Sequence, residues 1–380
     1  MRILHTSDWH LGRQFHGQSL EADHAAVLDQ VYEALTTHAP DALIIAGDIF
    51  DRASPPASAI RQFNAFLKRV ANSTEAAIVM IAGNHDSGDR IESMSIMTDP
   101  SRALIRGPLI ADERPLVLAH ADGPVAFSAL PFGYEYAARE CFDSIEIESP
   151  ADVIKAQIAA AKAHVTDDAR WVIVAHAFVA GANPSDSERN LGRTVGGIET
   201  VPASVFDGAH YVALGHLHRP QFVGHDHIRY SGSPLAFGFD ESDAKKTMSL
   251  VELSRDGAAT VSEIPFAPLR QVRTLRGKLS DLIASGEPSE DFIKVVLTDE
   301  GRLIDPMKQV RGLYPNASAL SYERDETPRD MTLAEGVKAA LTKPSDVISE
   351  FLTHVRGTPQ NEAEAGIIDA SLSSLTEAES

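Results

Sequence analysis

The sequence predicts an α/β fold in which helices flank two packed sheets, and three observations carry that prediction. Apolar runs of strand length alternate with amphipathic helical stretches over the first hundred residues, the βαβ pattern of a largely parallel sheet. From about 100 to 135 the pattern changes to short strand-like pieces around Pro108, Pro115 and Pro131, which implies a second sheet packed on the first. Five apolar runs stop at polar loops rich in Asp, Asn and His, and ligands in such sheets collect at the carboxyl ends of strands.

Each element follows from local pattern. Residues 2 to 6 form a short buried strand, and Ser7-Asp8-Trp9-His10-Leu11-Gly12 follows as a loop. Asp8 and His10 lie two apart, so an extended backbone points both to one side. A helix carrying Val27, Leu28, Val31 and Leu35 on one face leads to the strand 42–46, which breaks at Gly47-Asp48. The Ser54-Pro55-Pro56 turn starts a helix with Ile60, Phe63, Leu67 and Val70 at helical spacing. The strand 77–81 stops at Gly83-Asn84-His85-Asp86, and a helix holding Val153, Ile154, Ile158 and Val165 precedes a strand from Trp171 that ends at His176.

A loop containing Asp186, Glu188, Arg189, Arg193, Gly196 and Gly197 then runs to Tyr211 and is long enough to cover a site. The run Tyr211-Val212-Ala213-Leu214 breaks at Gly215 into His216 and His218, and a hairpin with His225-Asp226-His227 at its exposed tip follows. Pro265 and Pro268 mark a boundary, giving segments of 1–268, 269–340 and 341–380. The middle segment reads as a small α+β unit that gathers Arg270, Arg273, Arg276 and Lys278, either a solvated face or a DNA contact. In the last, Ser345 caps a helix carrying Val347, Ile348, Phe351, Leu352 and Val355, a partner-docking stripe, and a weaker apolar stretch holds Ile367, Ile368, Leu372 and Leu375.

At 380 residues and 43% hydrophobic content, the chain can fill a sizeable core. Its single cysteine, Cys141, excludes an internal disulfide and a cysteine-rich zinc site and fits a reducing compartment. Met1 to Thr6 lead straight into a strand without an apolar signal core, and no run approaches a membrane span, so a cytoplasmic location is expected. The formal charge of −20 argues against a surface coated for nonspecific nucleic-acid binding. Two bound cations would reverse that field locally.

The chemistry lies in Asp8, His10, Asp48, Asn84, His85, His176, His216 and His218. Oxygen donors mixed with imidazoles suit Mn²⁺, Zn²⁺ or Fe²⁺ better than Ca²⁺. Seven candidate ligands exceed one coordination shell, and a central Asp48 can bridge a pair roughly 3.5–4 Å apart. His85, beside Asn84, is the candidate for a histidine that stays off the metals and serves the leaving group, its ring oriented by Asp86 or another acid.

In order and type, Asp8-x-His10, Gly47-Asp48-x-x-Asp51, Gly83-Asn84-His85-Asp86, His176 and Gly215-His216-x-His218 resemble the five motifs of the binuclear metallophosphoesterase superfamily. Within it, Ile3 to Gly12, Gly83 to Ser87 and Val212 to Gln221 are similar to bacterial nuclease subunits that work with the coiled-coil ATPase SbcC. The resemblance implies a metallophosphoesterase-type two-sheet sandwich with a small DNA-capping domain and a helical, partner-binding tail. It implies one Mn²⁺ on Asp8, His10, Asp48 and His218 and another on Asp48, Asn84, His176 and His216, with Mg²⁺, Zn²⁺ or Fe²⁺ as alternatives and His85 catalytic. It further implies an ATP-dependent double-strand 3′–5′ exonuclease and single-strand endonuclease in DNA end and hairpin processing, repair and recombination. DNA, SbcC and a second copy of the chain, paired within a heterotetramer, are the implied partners. Relatives elsewhere often carry histidine where Asp51 stands, so Asp51 receives no catalytic role. The competing readings are a small-molecule phosphatase or phosphodiesterase on the same metals, and a noncatalytic scaffold for an ATPase.

Overall fold

The computed structural model describes residues 1–188, the backbone of 193–194 and 197–198, residues 200–326, and in the tail 348–349, 352–353, 360–361, 363–368 and 371–372. The chain divides into two compact units, Met1–Leu320 and Ser321–Ser380.

The first unit opens with β1 (Arg2–Thr6), α1 (Glu21–His38), β2 (Ala42–Ala46), α2 (Ala57–Ser73), β3 (Ala77–Ile81) and β4 (Ala103–Arg106). It continues with β5 (Leu116–Leu118), β6 (Val125–Leu130), α3 (Glu135–Phe142), α4 (Pro150–Lys162), β7 (Arg170–His176) and β8 (Tyr211–Gly215). The hairpin of β9 (Gln221–Val223) and β10 (His225–Tyr230) leads to β11 (Thr247–Leu253) and β12 (Ala259–Pro265). One six-stranded sheet has the order β12-β11-β1-β2-β3-β4, and the other β9-β10-β8-β7-β6-β5. The second has a parallel centre and antiparallel strands at both edges, and the first is parallel from β1 to β4 with antiparallel β11 and β12 on one side.

Period-two alternation divides each strand between two layers. From the first sheet, Leu4, Leu43, Ile45 and Met80 pack under the helical side chains Val27, Val31, Leu35, Phe63 and Phe66. Ile3, Ile44 and Val79 face the other way and meet Val125, Phe127, Val172 and Val174 of the second sheet. The second sheet's outer face, with Trp171, Ile173 and Leu214, lies under Ile154 of α4. The result is a helix–sheet–sheet–helix sandwich, in which each fully buried aliphatic side chain contributes roughly 1.5–3 kcal/mol.

The structure corrects three details. Residues 103–106 pair in parallel with β3 and so belong to the first sheet; the second begins at Leu116. Val165 lies beyond the end of α4, whereas β7 does end at His176. His225 is exposed and stacks on half-buried His227 beside the Gly224 turn.

A three-stranded sheet follows, built from β13 (Val272–Gly277), β14 (Phe292–Leu297) and β15 (Ala317–Tyr322), with α5 (Leu279–Ser285) and α6 (Pro306–Val310) between them. Val272 and Phe292 join the core of the first helical layer, and Phe292 meets Phe15 with ring centroids 4.7 Å apart. Arg270 is ion-paired with buried Asp23, and Arg273 with Asp291 at 3.0 Å. Arg270 and Arg273 of the expected basic group are therefore spent within the protein. In the second unit Glu323–Glu326 is helical, as are Ile348, Leu352, Ile367, Ile368 and Leu372. Ser345, Val347, Phe351, Val355 and Leu375 lie outside the described residues, as do Arg189 and Gly196 of the long loop.

Candidate metal centre

Five parallel strands, β1, β2, β3, β7 and β8, bring their carboxyl ends to one rim of the sandwich, where all eight predicted site residues meet. Ligand atoms of Asp8, His10 and His218 lie within 4.8 Å of one another, as do those of Asp8, Asp48 and His176. Asp48 is central: its Oδ2 is 3.6 Å from Nε2 of His10, 3.6 Å from Nε2 of His176 and 4.0 Å from Nε2 of His85. Its Oδ1 accepts the His85 N–H at 2.9 Å.

Convergence at this rim depends on backbone geometry that alternation does not provide. Asp8, His10, Asp48 and His216 have φ of 53°, 47°, 49° and 105°, in the left-handed region. The expectation that Asp8 and His10 share a side through extended backbone is therefore wrong: left-handed residues at both positions turn the loop inward. Non-glycine residues held there cost of order 1–3 kcal/mol each, strain that clusters at functional sites. Gly215 allows the two sheets to touch, since a Cβ on it would lie 1.9 Å from the Ala46 carbonyl oxygen.

Hydrogen bonds fix the tautomers. His176 donates Nδ1–H to the Ala46 carbonyl at 2.9 Å, which leaves the Nε2 lone pair 3.0 Å from Asn84 Oδ1, itself an acceptor. The Ser187 hydroxyl donates to Glu241, so it accepts from His218 Nδ1 at 2.6 Å, and the His218 Nε2 lone pair points at His10 Nε2, 3.2 Å away. Lone pairs aimed at one another in a buried site require a proton or a cation between them. The donor set of neutral imidazoles, carboxylates and an amide oxygen fits a pair of divalent cations.

Electrostatics agree with that fit. Burial pushes His216 down to about 3 and His10 well below its usual range, so both are neutral ligands near pH 7. Burial and the neighbouring Asp48 raise Asp8 to about 8. Burial also opposes ionisation of Asp48, but His176, His10 and His85 around it hold the carboxyl well below its ordinary value. His176 is depressed by burial, yet the two carboxylates draw a proton onto it and raise it to about 9. The charge that attracts that proton is the charge that would hold a cation.

His85 makes a different set of contacts. Its Nδ1–H donates to the main-chain carbonyl of Asp51 at 2.8 Å. Asp86, the expected orienting acid, accepts instead from the N–H groups of Ile49, Phe50 and Gly83 at 3.1, 2.9 and 3.0 Å, so it braces the two loops and not the ring. Asp51 Oδ1 lies 3.8 Å from His10 Nδ1 and 3.7 Å from Arg13.

Sequence reasoning missed the supports of His218. Glu188 accepts its N–H at 2.7 Å, Glu241 stands behind Ser187, and buried Lys246 pairs with Glu241 while donating to the His218 carbonyl at 2.8 Å. Ser187, Glu241 and Lys246 lie in loops or at a strand margin with no periodicity, and nothing local marks them. The long loop's described start does reach the site, through Ser187 and Glu188.

Comparison with known proteins agrees with this geometry. A family model described as calcineurin-like phosphoesterase matches residues 1–220, and one described as the type 5 capsule protein repressor C-terminal domain matches residues 265–356. The chain is 32% identical over 326 residues to the D component of the nuclease SbcCD from Staphylococcus saprophyticus subsp. saprophyticus, covering 85% of each. With a family model spanning more than half of its length and the matching rim of donors, the chain belongs to the calcineurin-like phosphoesterases.

Proposed function

We propose that this chain is the nuclease subunit of a DNA-processing complex and hydrolyses phosphodiester bonds with two Mn²⁺ ions. The observation that carries the reading is the convergence of six other donor residues around Asp48, with His85 beside them and its ring anchored elsewhere. Asp8, His10, Asp48 and His218 would hold one ion, and Asp48, Asn84, His176 and His216 the other. Such a pair supplies Lewis acidity towards a phosphoryl oxygen and a water acidified to roughly pKa 7.

The chain's own groups do the rest. Asp48 carries the shared negative charge. His176 and His218 keep their Nε2 lone pairs inward because their Nδ1–H groups are committed to Ala46 and Ser187. His85, tethered through Nδ1 to the Asp51 carbonyl, is positioned beside Asp48 to serve the departing oxygen. The relative named as a subunit of the nuclease SbcCD supports DNA as the substrate and SbcC, the ATPase on this reading, as the partner. On this reading the activity is an ATP-dependent double-strand 3′–5′ exonuclease and a single-strand endonuclease, and the chain is paired with a second copy. Residues 1–268 are then the nuclease domain, 269–340 a DNA cap, and 341–380 the partner-binding tail.

The test is cleavage of circular single-stranded DNA with Mn²⁺, beside a chelated sample, His85→Ala and a simple phosphomonoester. Nicking by the wild type alone, with both metals retained in His85→Ala, is the expected result. Turnover of the monoester with intact DNA would transfer the site to small-molecule chemistry.

A further inference from the structure

The parallel strand β6 also reaches the metal-bearing rim and carries no donor there. β6 ends at Leu130, and the chain continues through Phe132, Gly133 and Tyr134 into α3. The Phe132 N–H is held by the Ala82 carbonyl at 3.0 Å, which fixes this turn to the loop that carries Asn84. An aromatic series starts at the metal centre: His176 meets Phe132 edge to face at 6.4 Å, and Phe132 meets Tyr134 edge to face at 4.9 Å. Tyr134 then stacks on Tyr136, with centroids 5.6 Å apart and planes 12° from parallel.

The outer rings are uncovered. Tyr134 is 48% and Tyr136 69% exposed, and among the described residues Phe222 is the one other exposed Phe, Tyr or Trp. Phe222 is covered on one face by the Arg229 guanidinium, whereas Tyr134 meets the Phe132 ring and Tyr136, and Tyr136 stacks on Tyr134. A cleft of about 480 Å³ is lined by Gly83 and Asn84 of the site together with Phe132 and Tyr134, and Tyr136 joins it through its stack on Tyr134. Its walls carry Asp86 and Glu140 but no lysine or arginine, so it is not built for phosphate. A flat, neutral, polar-edged group adjoining a phosphodiester is what fits.

We infer that Tyr134 and Tyr136 form a stacking platform for unpaired nucleobases of a strand whose phosphate lies at the metal centre. The inference rests on the nuclease reading and deepens it. It makes the site selective for single strands and frayed ends, because a base can reach the platform only after leaving its duplex partner. Stacking on aromatic side chains is tolerant of sequence, since every base has a π-face.

Fluorescence anisotropy of the full chain in the His85→Ala background, titrated against a labelled oligothymidylate and the same strand with abasic positions, tests this. Tyr136→Ala is expected to weaken oligothymidylate binding roughly tenfold, Tyr136→Phe to retain it, and the abasic strand to bind both parent and Tyr136→Ala equally weakly. An unchanged thermal midpoint in Tyr136→Ala would assign the loss to binding and not to folding. Tight oligothymidylate binding by Tyr136→Ala, or equal affinity of the parent for the abasic strand, would overturn the platform alone. Wild-type protein that neither binds nor cuts DNA would remove the nuclease reading and the platform with it.

Discussion

Glu241 shows how a single residue outside any motif can govern a motif residue. Its carboxylate accepts from Ser187 and pairs with Lys246, and the relay His218 to Ser187 to Glu241 keeps the imidazole Nε2 free of a proton. Groups behind a metal-binding histidine typically alter affinity 10–100-fold. Glu241→Gln preserves shape but removes the charge, and calorimetric titration with Mn²⁺ should show weakening within that range. Affinity equal to wild type would mean that the relay does not position His218. The donors themselves were legible because chain-local spacing such as Asp-x-His displays them. Glu241 and Lys246 were not, because their meaning is a contact made across 23 and 28 residues of loop and strand.

At the scale of elements, strand ends are placed by backbones that nearly touch. A Cβ on Gly83 would lie 2.2 Å from Asp48 Oδ1, and one on Gly215 would collide with the Ala46 carbonyl. Gly215→Ala should therefore force β8 from β2, lowering both the thermal midpoint and Mn²⁺ uptake. Ser149→Ala provides the contrast. Ser149 caps α4 by accepting the Asp152 N–H, and Asp152 returns a bond to the Ser149 N–H, a capping box. Losing it should cost about 1 kcal/mol by denaturant titration while leaving Mn²⁺ uptake unchanged. The helices and central strands were readable from periodicity. The antiparallel strand β11 was not, since it pairs with β1 across nearly the whole first unit.

The whole molecule carries a pH liability in its core. Burial lowers His5 to about 3 and His24 to about 4, while His5 spends its ring nitrogens on the Tyr211 hydroxyl and the Leu214 carbonyl. The unfolded chain takes up a proton at each near pH 6.5, but the folded chain does not until about 3 or 4. Their contribution to stability is therefore complete above 6.5 and declines as pH falls, by about 1 kcal/mol per histidine for each pH unit. Denaturant midpoints at pH 7 and pH 5 should show the decline, and His24→Leu should make it shallower by about 1 kcal/mol per pH unit. A slope unchanged in His24→Leu would mean that His24 is already charged in the folded state.

By itself the sequence determined the layering of the sandwich and the inventory of donors, because both are written in local repeats: period two in the strands, helical spacing between them, and short motifs where strands stop. Tertiary structure alone decided how the donors are used. The left-handed turns at Asp8 and His10, the tether of His85 on Asp51, the diversion of Asp86 to backbone N–H groups and the pairing of Arg270 with Asp23 all join residues brought together by strand order or packing. Hydrogen-bond direction and close approach depend on distances of tenths of an ångström across layers, and no one-dimensional pattern encodes them.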